Sequence, residues 1–524
     1  MKDMKETVTK REIAYLVKET IIALEAKMNE PLPPASFSQI KGRQDEQLWY
    51  DAIQAELQNM TNMKVWREMD RRDIEQAADV IASQWVFTIK RDQDGSIVRK
   101  ARLVACGNQE SISDMSSYSP TSRPQTLRIL LSVAAQRGLN LEQWDVKSAY
   151  LEAKLDQDVY LRPPPGVTIT PGKLLKLDRA LYGLRRAGRL WNKTLHDELI
   201  KLGFTQSKQD CCLYIKGNIL ILIYVDDILS AHKKGDREFE RIKKSLSDRF
   251  RMKDLQLSTF LGVEIKQNHN GISINQAQYA KEILKRHGYL SGVNEKPTPM
   301  AHNVNLPLIA GLGGEFQHPY RQLVGELFYL VTYTRPDLAQ SVGYLARFSA
   351  NPSEKHWEAL TRVLRYLKKT MSYSLHFASN NNDAELHGYS DSDFAGDKVD
   401  YKSTSGFLAL HGSSIIDYGS VKQKTVARSS CEAEYVAAGA AASRMMDLRA
   451  ILIEIGAIKD TTIKIRMDSQ SAIQVALKED YRGKIRHIYR SATLLSARSR
   501  QSSTGGSRVG VDDGDEGRHL HQTT

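Results

Sequence analysis

Two acids stand side by side, Asp226 and Asp227, between the apolar run Ile219 to Val225 and the pair Ile228-Leu229. Strand packing asks for no charge there. Two adjacent carboxylates repel each other and are costly to desolvate without a partner, so a cation belongs against them. A hard metal ion, Mg²⁺ or Mn²⁺, is the natural candidate, and metal-assisted catalysis is the chemistry it would bring. An Asp-Asp turn at the tip of a hairpin is the other reading of the same pair. A third acid, Asp145, lies upstream in the segment Gln143 to Tyr150 and also ends a short apolar stretch.

A second set of acids follows the order strand, helix, strand. Leu386 to Asp391 reads as a strand ending in an acid, and Ile463 to Asp468 as another. Between them, Ser429 to Tyr435 opens an alanine-rich helix that runs to Glu454 and stops at Gly456. Ser429 and Glu432 fit a capping box. That gives Glu432 a structural task and leaves Glu434, about 200° further round the helix, to face elsewhere.

The remaining elements must position these acids. Residues up to Glu30 have helical spacing and end at Pro31-Leu32-Pro33-Pro34, as a helical tail before a linker would. Phe37 to Met60 reads as one helix with Leu48, Trp49, Ile53 and Leu57 on one side. Gln84 to Lys90 and Val98 to Val104 read as strands joined by the turn signal Asp92-Gln93-Asp94-Gly95-Ser96. Lys233 to Phe250 is a charged amphipathic helix, and Phe260 to Ile265 with Gly271 to Ile274 forms a hairpin. Helices follow at Tyr279 to His287, at Tyr320 to Tyr333 and from Pro352 through Tyr366. Ser379 to Asp383 is a polar linker, beyond which Gly406 to His411 and Ile415 to Tyr418 are strands.

Composition sets outer bounds. The 524 residues suffice for two to four domains. Lysine plus arginine outnumber the acids, 74 to 62, for a formal charge of +12, which favours a polyanionic partner such as nucleic acid. Four cysteines, Cys106, Cys211, Cys212 and Cys431, have neither zinc spacing nor a disulfide framework, so a reducing setting is expected. The first twenty residues are charged throughout and no apolar run approaches a membrane span. A soluble chain that is neither secreted nor membrane-bound is expected.

Tyr224-Val225-Asp226-Asp227, downstream of Asp145 and Ala149-Tyr150, resembles the palm of a reverse transcriptase. The words Trp85-Val86-Phe87, Asp94-Gly95, Lys100 to Ala105, Val159 to Gly166 and Leu181-Tyr182-Gly183-Leu184 are similar to the copia-type long-terminal-repeat retrotransposons. So are Lys402 to Gly406 and Glu432-Ala433-Glu434-Tyr435, in a segment that resembles ribonuclease H. The resemblance covers about residues 35 to 488 and only the C-terminal part of a Pol polyprotein. It implies an α+β right-hand polymerase followed by an α/β ribonuclease H-like domain. The expected organisation is a helical tail and linker at 1–34, fingers and palm at 35–230, thumb and connection at 231–378, the ribonuclease H-like domain at 379–488 and an aberrant tail at 489–524.

The same resemblance implies two Mg²⁺ or Mn²⁺ ions per active site, held by Asp145, Asp226 and Asp227 for DNA synthesis and by Asp391, Glu434 and Asp468 for cleavage of RNA in a hybrid. Tyr150 would lie under the sugar and favour deoxynucleotides. Lys90, Lys100 and Arg102 would meet the triphosphate, though they equally suit solvated charges on a hairpin. Tyr182 and Gly183 fall in the segment expected under the templating base pair, and the Phe260 to Ile274 hairpin in the region that holds the primer end. Arg362, Arg365, Lys368 and Lys369 suit a grip on a duplex as well as a solvated helix face. The implied partners are an RNA template, a DNA primer, their hybrid and deoxynucleoside triphosphates. The implied location is cytoplasmic, in virus-like particles, with a nuclear phase open.

Three departures from the family pattern stand out. Arg186 and Gly188 replace Gln and Pro, which questions the rigidity of that loop. The segment Ser111 to Pro124 is compressed. The family places a fourth acid after a His-Ile pair, and this chain has His487-Ile488-Tyr489 before a Ser-, Arg- and Gly-rich tail. Codons for Gly517 to Thr524 shifted by one base spell Ala-Asp-Ile-Phe-Thr-Lys-Pro, which resembles the family ending and suggests a frameshift; a natural disordered tail is the alternative. Sequencing the locus separates the two, because a downstream frame lacking the family ending excludes the frameshift. A catalytically inactive remnant that at most binds nucleic acid is the competing reading of the whole chain.

Overall fold

The computed structural model describes residues 32–75, 78–91, 96–111, 118–302, 306, 316–379, 384–459, 463–477 and 509–512. The chain divides into two compact units, Met1–Ser119 with Ser148–Leu195, and Pro120–Lys147 with His196–Thr524. The helical-tail reading of residues 1–30, residues 92–95 of the Asp92 to Ser96 turn, residues 112–117 of the Ser111 to Pro124 segment and His487-Ile488-Tyr489 lie outside the described residues.

In the first unit the antiparallel ribbon Ser83–Arg91 and Ile97–Ala105 alternates as a half-buried pair should. Trp85, Phe87, Ala101, Leu103 and Ala105 are buried, while Val86, Lys90, Lys100 and Arg102 lie on the exposed face. The helix Glu46–Asn62 covers the buried face, with Trp49 edge-on to Phe87 at 5.4 Å. The single helix expected from Phe37 is in fact a 3₁₀ turn, Phe37–Gln39, and a helix that starts only at Glu46. Gly42, at φ +81°, turns the chain between them. A four-stranded sheet of Trp66–Asp70, Lys173–Leu177, Val159–Leu161 and Asp79–Ile81, in that spatial order, completes this unit.

The second unit is built on a six-stranded sheet. Its order is Met252–Leu255, Asn140–Val146, Asp227–His232, Ile219–Tyr224, Leu213–Lys216 and Thr205–Gln206. The helix Pro124–Arg137 is buried from Thr126 to Ala135 and ends at Gly138 in the left-handed region. A four-stranded sheet, Thr259–Phe260, Val263–Asn268, Gly271–Asn275 and Leu375–Ala378, lies in the same unit. Helices Ala277–Arg286, Tyr320–Tyr333, Ala339–Ala346 and Glu354–Lys369 share a core that includes Leu323, Leu327, Leu360 and Leu364.

The last sheet has the order Ser414–Lys422, Thr404–His411, Leu386–Ser392, Ile463–Arg466 and Val509–Asp512. Its first three strands are antiparallel and its last two pairings are parallel, with the helix Ser430–Glu454 packed on it. Of the tail, Val509–Asp512 thus adds a strand beside Ile463–Arg466. One hydrophobic cluster runs from Leu127 and Leu131 through Ile272 and Phe377 to Ile416, Met445 and Leu448. Arg128, 2% exposed, crosses that core: it donates to the carbonyls of Ile416 and Thr332 and faces Asp417 at 3.6 Å. The architecture is α+β. Among the described residues no helix is long and apolar enough to cross a membrane.

Candidate active sites

The Ile219–Tyr224 strand is apolar and almost wholly buried, which fixes it in the centre of its sheet. Tyr224 pairs with Asp227, so Val225 and Asp226 form a two-residue hairpin turn. Val225 has φ +58°. A β-branched side chain is strained there, by about 1–3 kcal/mol. Both readings of the acidic pair therefore meet in one place, because Asp226 is in the turn and Asp227 opens the returning strand.

Asp227 lies directly opposite Asp145 across the ladder, and the Asp226 carbonyl accepts from the Val146 N–H at 3.1 Å. Opposed residues of an antiparallel pair share a face. Burial first, then the charges of Asp145 and Asp226, push the Asp227 carboxyl up to about 6, against a hydrogen bond from Gln143 that lowers it. On the other side of Asp145 the register places Lys253, which is exposed.

The ribonuclease H-like acids are drawn closer. Ligand atoms of Asp391, Glu434 and Asp468 lie within 4.8 Å of one another. Glu434 is 7% exposed; its Oε1 accepts from the Ser392 N–H at 2.9 Å, and its Oε2 has no hydrogen-bond partner among the described residues. Burial, followed by the Asp391 and Asp468 charges, pushes its carboxyl up to about 7. The expected capping box is half formed. Ser429 Oγ accepts from the Glu432 N–H at 3.1 Å, but the Glu432 carboxylate reaches one residue further back, to the Arg428 N–H. Glu434 lies on another face of the helix from Glu432, with its ligand atom beside those of Asp391 and Asp468.

Among the described residues the other group with ligand atoms this close is Asp210, Cys211 and Cys212, and the Asp145, Asp226 and Asp227 set is not one. Asp210 is committed to the Arg123 N–H, the Thr126 hydroxyl and the Cys212 N–H, and burial pushes the Cys212 thiol up. That cluster caps a helix. The two all-carboxylate sets are the ones whose hard oxygen donors suit Mg²⁺ or Mn²⁺.

In the first unit, Tyr150 and Tyr182 have ring centroids 5.0 Å apart, and the Arg102 guanidinium lies 5.2 Å from the Tyr182 centroid. Gly183 has φ +88°, and a Cβ there would meet the Ala105 carbonyl at 2.2 Å. Only glycine fits this approach, which the Ala105 N–H bond to the Tyr182 carbonyl at 2.7 Å holds. Lys90 and Lys100 stay on the exposed ribbon face, opposite Val98 and Thr88. Arg186 anchors its loop rather than loosening it: Nε donates to the buried Glu110 carboxylate at 3.0 Å and Nη1 to Gln157 at 2.6 Å. Two of the basic residues expected to grip a duplex have local partners, Arg362 at the Thr298 hydroxyl and Lys368 at the Val293 carbonyl.

Sequence reasoning missed Gln143 and Glu110. Gln143 shares a strand face with Asp145 by its two-residue spacing, a signal that was available. Glu110 carried none, since its partner is remote in sequence.

The family described as "Reverse transcriptase (RNA-dependent DNA polymerase)" matches residues 64–302. The chain is 37% identical over 421 residues to the retrovirus-related Pol polyprotein from transposon RE1 of Arabidopsis thaliana, covering 78% of this chain and 28% of that protein. It is 32% identical over 477 residues to the corresponding polyprotein from transposon TNT 1-94 of Nicotiana tabacum, covering 87% and 35%. A transposon Ty5-1 protein of Saccharomyces cerevisiae is 32% identical over 305 residues, 56% of this chain and 97% of that one. The chain thus spans about a third of the two polyproteins. A foamy viral protease-reverse transcriptase, solved in complex with dsDNA, aligns over 97% of this chain and 95% of its own with 13% identity and a TM-score of 0.48. The chain belongs to the family of copia-type retrotransposon Pol polyproteins and carries their reverse transcriptase region.

Proposed function

We propose that the chain is an RNA-directed DNA polymerase that works with two divalent ions, Mg²⁺ or Mn²⁺, at Asp145, Asp226 and Asp227. The observation that carries this reading is the pairing of Asp227 with Asp145 across one ladder, with Asp226 in the connecting turn. Bound ions would neutralise triphosphate charge and favour in-line attack by a primer 3′-hydroxyl on the α-phosphate. The chain's own part is positioning. Its three carboxylates would hold the ions, and the hairpin turn is tied to the Asp145 strand by the Val146 N–H bond to the Asp226 carbonyl. Tyr150, Tyr182 and Arg102 form an aromatic and cationic cluster suited to a deoxynucleotide. The substrates would be an RNA template, a DNA primer, their hybrid and deoxynucleoside triphosphates.

The ribonuclease H-like site would hold its ions through Asp391, Glu434 and Asp468. Tyr489 stands where the family has its fourth acid, so weak or absent hybrid cleavage is expected. Primer extension on an RNA template in Mg²⁺, wild type beside Asp145→Asn, tests the polymerase. Extension that is lost in the variant supports it, and equal extension by both excludes these acids as its site.

A further inference from the structure

We propose that the ribonuclease H-like part of the chain has a second task that needs none of its acids. It forms the outer wall of the core that holds the helix Pro124–Arg137 against the acid-bearing strands, so DNA synthesis depends on it even where it cuts no RNA. The inference rests on the polymerase reading and extends it to a part of the chain which that reading leaves out. The helix is buried at ten successive residues, Thr126 to Ala135. A helix buried on every face needs cover on opposite sides. One hydrophobic cluster supplies both covers. Leu127 and Leu131 share it with Leu141 of the Asp145 strand and Leu229 of the strand that Asp227 opens, and the same cluster continues into Ile416, Met445 and Leu448 of the last sheet and its helix.

A polar stripe fixes the register of the second contact. Gln125, Arg128, Ser132 and Gln136 recur at helical spacing, so they lie along one side of the helix. Each of them meets the last sheet. Gln125 Nε2 donates to Asp417 Oδ1 at 3.0 Å, and Arg128 Nε donates to the Ile416 carbonyl at 2.9 Å. The Ser132 hydroxyl meets His411 Nδ1 at 3.0 Å, and Gln136 Nε2 donates to the His411 carbonyl at 3.4 Å. Beyond the stripe, Arg137 donates to the Ile455 carbonyl at 3.1 Å, just past the helix Ser430–Glu454. Glu454 in turn accepts from the Ser207 hydroxyl and the Lys208 N–H.

Asp417 is the centre of this seam. It is 2% exposed, accepts from Gln125 on one side and from Arg444 Nε at 3.2 Å on the other, and faces the Arg128 guanidinium at 3.6 Å. Arg128 also donates to the Thr332 and Tyr333 carbonyls, so one guanidinium ties the helix Pro124–Arg137 to the strand Ser414–Lys422 and to the end of the helix Tyr320–Tyr333. Domains that move against each other meet through modest, solvated contacts. A buried charge network across a shared core is the opposite arrangement, and breaking one partner leaves a costly buried charge. The last sheet and the helix behind the acid-bearing strands therefore open together.

The test follows amide hydrogen exchange and the heat inactivation of primer extension in the full chain, for the wild type, Asp417→Asn and Glu385→Gln. Asp417→Asn keeps the shape of the side chain and removes the charge that faces Arg128. It should speed exchange of the Leu127 to Ala135 amides by about tenfold or more and lower the temperature at which extension is half lost by about 4 °C or more. Glu385→Gln removes only an exposed pair with Lys464 beside the same sheet and should change neither. If Asp417→Asn does not fold, Glu454→Ala, which gives up the Ser207 and Lys208 bonds, takes its place with the same expected signs. Faster exchange confined to the last sheet and its helix, with the Leu127 to Ala135 amides and the heat midpoint of extension at wild-type values, overturns the proposal. So does wild-type exchange throughout a folded Asp417 variant. A wild type that extends no primer refutes the polymerase reading, while exchange still decides whether the helix depends on the last sheet.

Discussion

In the proposed polymerase site two of the three acids are neighbours in sequence, and Asp145 is paired with Asp227 across a strand ladder. In the ribonuclease H-like site one acid comes from a strand, one from a helix and one from just beyond a second strand. A ladder fixes backbones and leaves carboxylates on a common, partly open face. A helix laid on a sheet pushes one carboxylate inward, and the ligand atoms close to within 4.8 Å. Burial first, and then the neighbouring carboxylates, raise one carboxyl in each site, Glu434 to about 7 and Asp227 to about 6. A bound cation would offset the repulsion in both.

The sharpest way to break this comparison is to remove one acid at a time. Asp227→Asn should cost primer extension on the order of 10³-fold, as expected when a metal ligand is lost, whereas Glu434→Gln should leave extension unchanged in the same assay. A comparable loss in both variants would mean that the two sites are not independent.

Protons should separate the sites next. A raised carboxyl competes for its cation, so affinity is full above the folded pKa and falls as pH drops through it. Mn²⁺ binding that depends on Glu434 should weaken below about pH 7, and binding that depends on Asp227 below about pH 6. Calorimetric titrations of Asp227→Asn and Glu434→Gln across this range would show whether the midpoints fall in that order.

Smaller effects concern stability. Without metal, burial penalises ionised Glu434 at a pH above about 7, and the penalty fades as the group protonates below that value. Glu434→Gln should therefore raise the unfolding midpoint at pH 8 and leave it nearly unchanged at pH 4.5. Val225→Gly relieves a positive φ at the hairpin tip and should raise the midpoint by about 2–4 °C. No counterpart at Glu434 would respond, since that residue sits in regular helix.

The acids were legible in the sequence because charge inside apolar runs is conspicuous and because a capping residue at Ser429 fixes which face Glu434 takes. The strands that carry the acids were legible from apolar runs such as Ile219 to Ile223, whereas Thr205–Gln206, Leu213–Lys216, Met252–Leu255 and Val509–Asp512 were not read as strands. What was not legible depends on contacts remote in sequence. Glu110 and Arg186 each look like a solvated charge until folding pairs them. Gln143 looks like a neutral residue beside an acid until Thr259 meets it. The expected helix from Phe37 failed locally, at Gly42, whose positive φ turns the chain before Glu46.

The most direct measurement places both activities in one preparation: deoxynucleotide addition to a primer on RNA template, and cleavage of a labelled RNA–DNA hybrid, each in Mg²⁺ and each beside Asp226→Asn. The account predicts extension by the wild type, its loss in Asp226→Asn, and cleavage near background in both. Cleavage without extension, or extension that survives Asp226→Asn, would contradict it.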